Sequence, residues 1–369
     1  MTSVNWDEIA HPNRQEDKTT WIKEWIDMWI PIVGGIILFI LLSIWIIPQF
    51  AVFQMTRMKS STYEQCLDLL EQHKVFRKKQ YDDCDKEELF IRSHDGLALH
   101  GYYIESFPAS KRVIIIVHGY TSALTWSAQF MAMFFKLGFN VLLVDQRRHG
   151  QSEGQYTTFG FNEKKDVQAW VDWVIARKGE DCAIGLHGQS LGGGTVLEYA
   201  AMHRPQVRFI IADCPYSDLT ELIHHQVTKL NHMPAWPIMP LINRLLKRKA
   251  GFELEDVSPI RVMKTCRLPI MFIHGSKDIF VPTYMSADLY NAKPEPKAFV
   301  LVDGATHGVS YCVDKERYEA NVTDFVLQVV GKPQPEELEQ PASAKMPVCD
   351  TPQEQLVPNE GNSVLQGAT

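Results

Sequence analysis

The longest apolar stretch of the chain, Ile30 to Ile47 (IPIVGGIILFILLSIWII), is about 18 uncharged residues in which only Ser43 is polar. A helix of roughly 17–25 such residues crosses the hydrocarbon core of a bilayer, whereas a core helix of a soluble domain keeps polar residues on part of each turn. Residues 30–47 are therefore predicted to form a single transmembrane helix. Trp21, Trp25 and Trp29 precede it at a spacing of four, on one helical face, where indole rings suit the headgroup region. The leader, 1–29, is long and acid-rich, and IPQFAVF offers no small-x-small cleavage site, which favours an uncleaved anchor over a signal peptide. Arg14, Lys18 and Lys23 before the span, against Arg57 and Lys59 after it, lean the domain that follows the span to the extracytoplasmic side. Cysteine usage leans mildly the other way.

Residues 48–86 are charged, mixed and helix-forming (TYEQCLDLLEQHKVFRKK), either a stalk or a helix packed on the domain of residues 87–331. Within that domain short apolar runs alternate with amphipathic stretches. Leu89–Ser93 and Leu97–Glu105 flank the turn His94-Asp95-Gly96 as a hairpin. Strands are then predicted at 113–119, 141–145, 183–188, 209–213, 270–275 and 298–303. Helices are predicted at 123–137, 163–178, after Ser190 and at 315–330. Repeated strand–helix units call for a largely parallel sheet covered on both faces. Residues 215–264 interrupt the rhythm with helical, Pro-punctuated sequence, which predicts a cap over the strand ends. Residues 332–369 are rich in Pro, Gln and Glu with few large apolar groups, the composition of a disordered tail.

A formal net charge of −7 argues against a general nucleic-acid binder, which needs a surplus of Lys and Arg. The seven cysteines are an odd number, with no C-x-x-C pair, in a chain large enough to fold without staples, so no disulfide framework is implied. Cys182 and Cys214 end apolar runs and read as packing residues.

The segment His187-Gly188-Gln189-Ser190-Leu191-Gly192 carries G-x-S-x-G between a buried strand and a helix. A tight strand-to-helix turn exposes the hydroxyl there, flanking glycines keep side chains away, and the helix N-terminus favours negative charge at the reacting carbonyl. Ser190 is the candidate nucleophile. The same pattern recurs at Gly150-Gln151-Ser152-Glu153-Gly154, but after the charged run Asp145–His149 and with no helix behind it, so 145–154 reads as a structural loop in which Asp145 and Arg147 brace neighbouring turns.

A serine needs a base, and of 13 histidines His307 lies just past the last predicted strand, where a loop brings it over the sheet edge. His118, His187 and His274 read as loop-packing residues; His224 and His225 lie in the cap. Asp278, in HGSKDIFVP, is the stronger candidate to orient the base, with Asp213 at the end of the preceding strand as runner-up. Backbone N–H groups of Leu191 and of Tyr120, in the loop His118-Gly119-Tyr120-Thr121-Ser122, are the candidate oxyanion hole.

The motifs HGYTS, DQRRHGQSEG, HGQSLGG, HGSKDIFVP and GATHG, in this order over residues 85–331, resemble those of membrane-anchored bacterial α/β-hydrolases of the serine-aminopeptidase-like and monoglyceride-lipase-like branches. The resemblance implies an α/β-hydrolase fold: a mostly parallel eight-stranded sheet, a helical cap after the sixth strand, and no metal or organic cofactor. It leaves the substrate open, because this fold serves esters, thioesters and amides. The expected activity is hydrolysis of a small-molecule carboxylic ester or thioester through an acyl-enzyme. Its rivals are a small-substrate peptidase or amidase with the same triad, and a non-catalytic membrane-tethered binding protein. Leu230, Met233, Trp236, Ile238 and Met239 are expected to form mostly the cap's own core, with some left to meet an apolar acyl group. Oligomeric state has no local signature.

Overall fold

The computed structural model describes residues 16–339. The start of the leader and the tail from residue 340, expected to be disordered, lie outside the described residues. Two units emerge, residues 1–51 and 52–369.

In the first, α1 (Glu16–Arg57) begins inside the predicted leader and runs through the predicted span without a break. Its segment Thr20–Arg57 is 38 residues long, with mean hydropathy 2.8 over its most apolar window, long and apolar enough to cross a membrane. The Trp21, Trp25 and Trp29 rings touch in series, with centroids 5.7 Å apart. The helix does not stop at the end of the hydropathic run. It passes Pro48 and ends at Arg57, and Val52, Met55 and Thr56 are buried in the second unit.

The second unit holds eight strands: β1 (Glu87–Arg92), β2 (Ala98–Ile104), β3 (Arg112–Val117), β4 (Asn140–Val144), β5 (Ala183–Gln189), β6 (Val207–Asp213), β7 (Ile270–Gly275) and β8 (Lys297–Val302). Their order is β1-β2-β4-β3-β5-β6-β7-β8, antiparallel at β1/β2 and β2/β4 and parallel from β4 onwards. Side-chain alternation explains the two cores. Ile114 and Ile116 of β3 face a layer with Val141, Leu143, Phe130, Phe134 and Tyr318, while Val113, Ile115 and Val117 face Leu142, Val144, Trp170, Val171 and Leu197. Strands buried on both faces must be apolar throughout, as RVIIIV and NVLLV nearly are.

Helices α2 (Tyr63–Gln72) and α3 (Lys78–Asp82) pack into the first of these layers through Cys66, Leu67, Leu70 and Tyr81. Residues 52–86 thus belong to the unit that holds the sheet rather than forming a free stalk. Between β6 and β7 the predicted cap is helical, including α4 (Leu219–His225) and α5 (Ala235–Ala250). Of Leu230, Met233, Trp236, Ile238 and Met239 only Ile238 is buried, and Trp236 is 79% exposed, so the expectation that they form mostly the cap's own core is overturned for Trp236. The cap's buried side chains instead include Leu222, Ile223, Ile242 and Leu246. The six described cysteines are all free and buried. Order also extends past Gly331: the Arg112 guanidinium donates to the Gly331 and Lys332 carbonyls and faces Glu337, fixing the start of the predicted tail.

β3 pairs with β4 on one side and β5 on the other, so the loops leaving β3 and β5 diverge above the sheet's carboxyl edge. Such a crevice is the usual site of chemistry in open α/β sheets.

Candidate active site

Ser190 is the single residue between β5 and the helix Leu191–Tyr199, at φ 54°, ψ −114°. A non-glycine residue there is strained, and its neighbours explain how the turn persists. A Cβ on Gly188 would lie 2.2 Å from the Gly192 carbonyl oxygen, and one on Gly192 would lie 2.1 Å from the Val117 carbonyl oxygen, so both positions require glycine. The Ser190 N–H donates to the Asp213 carbonyl at 2.8 Å, and Ser190 O accepts from the Gly194 N–H at 2.9 Å.

The hydroxyl so exposed lies 2.7 Å from Nε2 of His307, which sits in the loop after β8. His307 Nδ1 lies 2.6 Å from Oδ2 of Asp278, in the loop after β7. Since an ionised carboxylate only accepts, Nδ1 carries the imidazole proton and Nε2 presents its lone pair to the serine. The structure thus brings together Ser190, His307 and Asp278, three residues 29 to 117 positions apart in pairs.

Asp278 is buried, which alone would push its carboxyl up. The electrostatic pull of the facing His307 imidazole and hydrogen bonds from His274 and His307 outweigh that and hold it well below the usual carboxylate range. Its Oδ1 accepts the N–H groups of Phe280 and Val281 at 3.0 and 2.9 Å. His274 is a residue the sequence reading assigned to packing alone. Its Nε2 lies 2.9 Å from the Val281 carbonyl and 3.2 Å from Asp278 Oδ2, and its Nδ1 lies 2.6 Å from Ser286 Oγ. A carbonyl only accepts, so Nε2 bears the proton and is shared with the acid. The spacing of four in His274-Gly275-Ser276-Lys277-Asp278 was the available signal.

Asp213, the runner-up, lies beneath Ser190 and has no hydrogen bond to His307. Its Oδ2 accepts from Gln189 Nε2 at 3.2 Å and from the Tyr318 hydroxyl at 3.4 Å, while Oδ1 is without a partner among the described residues. Complete burial pushes this carboxyl up to about 6. His118 and His187 are buried, and burial pulls both imidazoles down, His187 to about 3. Neither contacts Ser190: His187 pairs with the Tyr318 hydroxyl and His118 with Gln146.

Ser152 is also separated from chemistry. Its Oγ is buried, accepts the His100 N–H and donates to the Asp145 carbonyl, each at 2.8 Å. Asp145 takes hydrogen bonds from the Leu124 and Gln151 N–H groups and meets His100 Nδ1. Arg147 pairs with both Asp166 and Asp95, so this loop braces its surroundings.

Gly119 passes directly over Ser190: a Cβ built on it would stand 3.4 Å from that of the serine. Tyr120 is the next residue, and Leu191 opens the helix behind Ser190. Around the mouth, Ile279 is 61% exposed and the Phe280 ring lies 5.2 Å from the His307 ring. His225 of α4 reaches the Ile279 carbonyl at 2.9 Å, tying the cap to the loop that bears the acid. Cys214 Sγ, His307 and Asp278 lie close enough to share an ion in principle, but His307 and Asp278 are already engaged with each other.

Residues 108–251 match the family model described as serine aminopeptidase, S33. The Bacillus subtilis (strain 168) protein YqkD is 33% identical over 255 residues, 69% of this chain and 83% of that one. Escherichia coli (strain K12) YfhR is 25% identical over 260 residues, 68% of this chain and 84% of that one. Among solved structures, the Pyrococcus furiosus esterase Pf2001 superposes with a TM-score of 0.54 at 24% identity, covering 68% of this chain and 95% of that one. The Pyrococcus horikoshii acylaminoacyl peptidase gives 0.52 at 18% identity, over 68% of this chain and 43% of that one. At these identities the two structures speak for the fold alone.

Proposed function

Because the chain belongs to the α/β-hydrolase family, in its serine-aminopeptidase-like branch, we propose that it is a serine hydrolase cleaving a carboxylic ester or thioester through an acyl-enzyme on Ser190. The observation that carries this reading is the unbroken line Ser190 Oγ, His307 Nε2, His307 Nδ1, Asp278 Oδ2, with contacts of 2.7 and 2.6 Å, at a strained turn that exposes the hydroxyl.

Ser190 Oγ attacks the carbonyl carbon as its proton passes to His307 Nε2. Asp278 stabilises the imidazolium so formed, which its depressed pKa allows it to do as a full anion at neutral pH. The oxyanion is received by the N–H groups of Tyr120 and Leu191, worth about 10²–10³-fold in rate per donor. His307 returns the proton to the leaving oxygen or sulfur, the acyl-enzyme remains, and a water activated by the same imidazole releases the acid.

Exposed Ile279 and Phe280 beside His307 favour an apolar acyl group. α1 supports an anchor that keeps the enzyme at a membrane where such substrates concentrate. The test is hydrolysis of p-nitrophenyl esters of graded acyl length by the full chain in detergent, beside Ser190→Ala. Loss of turnover with Ser190 supports the reading, and equal rates in both proteins remove Ser190 from the mechanism. Turnover of small amides but not esters would transfer the same machinery to the peptidase alternative.

A further inference from the structure

The loop that supplies the oxyanion donor from Tyr120 is held largely from outside the sheet, by the end of α1 and the residues just after it. The Tyr120 hydroxyl donates to the Gln54 carbonyl in the last turns of α1. Next along the loop, Thr121 accepts the Ser61 N–H at 2.7 Å through its carbonyl. Ser122 Oγ lies 3.8 Å from Cys66 Sγ, and Thr125 Oγ1 donates to the Tyr63 carbonyl at 3.1 Å. Four residues of the stretch 120–125 are thereby fastened to residues 54–66.

The neighbouring loop is fastened to the same place. Thr157 N–H donates to the Thr56 carbonyl at 3.0 Å, and Arg148 donates to the Arg57 carbonyl at 2.5 Å. His149 of that loop accepts the Thr121 N–H at 3.3 Å and packs its ring 5.8 Å from that of Tyr120. The helix end is itself fixed: Val52 and Thr56 are 2% and 0% exposed, and Thr56 Oγ1 bonds the Val52 carbonyl at 2.6 Å.

The need for such fastening lies in the loop's backbone. Thr121 sits at φ 57°, a conformation a β-branched residue does not keep without support. Tyr120 stands between this strained residue and Gly119, which lies against Ser190. A relaxation at Thr121 therefore turns the Tyr120 N–H away from the reacting centre, and an oxyanion donor is effective only while it is aimed beforehand.

We propose that residues 54–63, the end of the apolar helix and its exit segment, position the oxyanion hole, with the bond from the Tyr120 hydroxyl to Gln54 as the central tie. The proposal rests on the serine-hydrolase reading. Tyr120 contributes its N–H to the reaction through its backbone, and its side chain acts as a positioning group.

Tyr120→Phe in the full chain, in detergent, deletes the tie and keeps the ring. Active sites are counted by the p-nitrophenol burst, so turnover refers to folded enzyme only. The expected result is a kcat about 10-fold lower, a fraction of the loss on removing a donor outright. KM should stay within about twofold, as expected when a transition-state interaction alone is lost. Affinity for an alkyl trifluoromethyl ketone, which forms an oxyanion on the serine, should fall by the same factor. The pH midpoints should not move, because the Ser190–His307–Asp278 line is untouched. Ser61→Pro, which removes the N–H given to Thr121 from the other side, should reproduce this pattern.

Wild-type kcat per active site in both variants overturns the proposal. So does a loss that appears in the burst amplitude or in KM while ketone affinity is kept. Failure of the underlying reading looks different: the unmodified protein and Ser190→Ala would then hydrolyse esters alike, and the proposal would fall with it.

Discussion

Asp213 offers a test of the electrostatics beneath Ser190. Its carboxyl is completely buried, with two long hydrogen bonds to Oδ2 and, among the described residues, none to Oδ1, and burial raises it from 3.8 to about 6. Below pH 3.8 the group is protonated in folded and unfolded chains alike, so it carries no pH-dependent penalty. Between 3.8 and 6 the unfolded chain has released the proton while the folded chain retains it, so stability falls as pH rises. Above 6 the deficit levels off at about 3 kcal/mol, from 1.36 kcal/mol per pH unit of displacement. Asp213→Asn removes the titration while keeping an oxygen for Gln189 and Tyr318. The variant should match the wild type near pH 4 and exceed it by about 3 kcal/mol at pH 8, or roughly 5–10 °C in Tm for a unit of this size. Thermal unfolding of both proteins in the same detergent from pH 4.5 to 8 measures the difference, in which other titrating groups cancel. A difference that stays constant across that range refutes the reasoning. Ester hydrolysis should survive the substitution, since Ser190 uses only the backbone carbonyl of Asp213.

Asp278→Asn should lower kcat by about 10⁴-fold, because an amide at that position no longer fixes the Nδ1–H tautomer of His307. A loss below tenfold, measured per active site, would point to another acid. Ser152→Ala, despite the repeated motif, should leave kcat within about twofold while costing about 1–3 kcal/mol in denaturant unfolding, since the buried His100 N–H and Asp145 carbonyl each lose a partner. Arg147→Met leaves Asp166 buried and unpaired and should destabilise the unit by about 3–5 kcal/mol, seen as a lower urea midpoint; an unchanged midpoint contradicts the bracing role.

The strands were legible because β-branched runs buried on two faces have few other solutions, and the predicted ends of β7 match the structure while those of most others shift by a residue or two. Ser190 was legible because glycines at 188 and 192 are demanded by backbone contacts under 2.5 Å, which leave a signature in the chain. Other features were not. Hydropathy marks the thickness of an apolar medium and not the end of a helix, so the continuation of α1 past Pro48 to Arg57 was invisible. On the 54–66 side the fastening of 120–125 uses the carbonyls of Gln54 and Tyr63 and the N–H of Ser61, groups that every residue possesses, with Cys66 Sγ the one side chain. Trp236 looked like core by composition, yet the structure leaves it facing outwards. Short helices at Tyr284–Ala292 and Ser310–Val313 lacked enough turns to show a period.

The most direct test of the central claim is to treat the full chain with a fluorophosphonate and map the adduct by peptide mass. A single adduct on the Ser190 peptide, absent from Ser190→Ala and formed far more slowly in His307→Ala, is what the arrangement of Ser190, His307 and Asp278 predicts. An adduct on Ser152, or labelling that persists undiminished without Ser190 or His307, would contradict it.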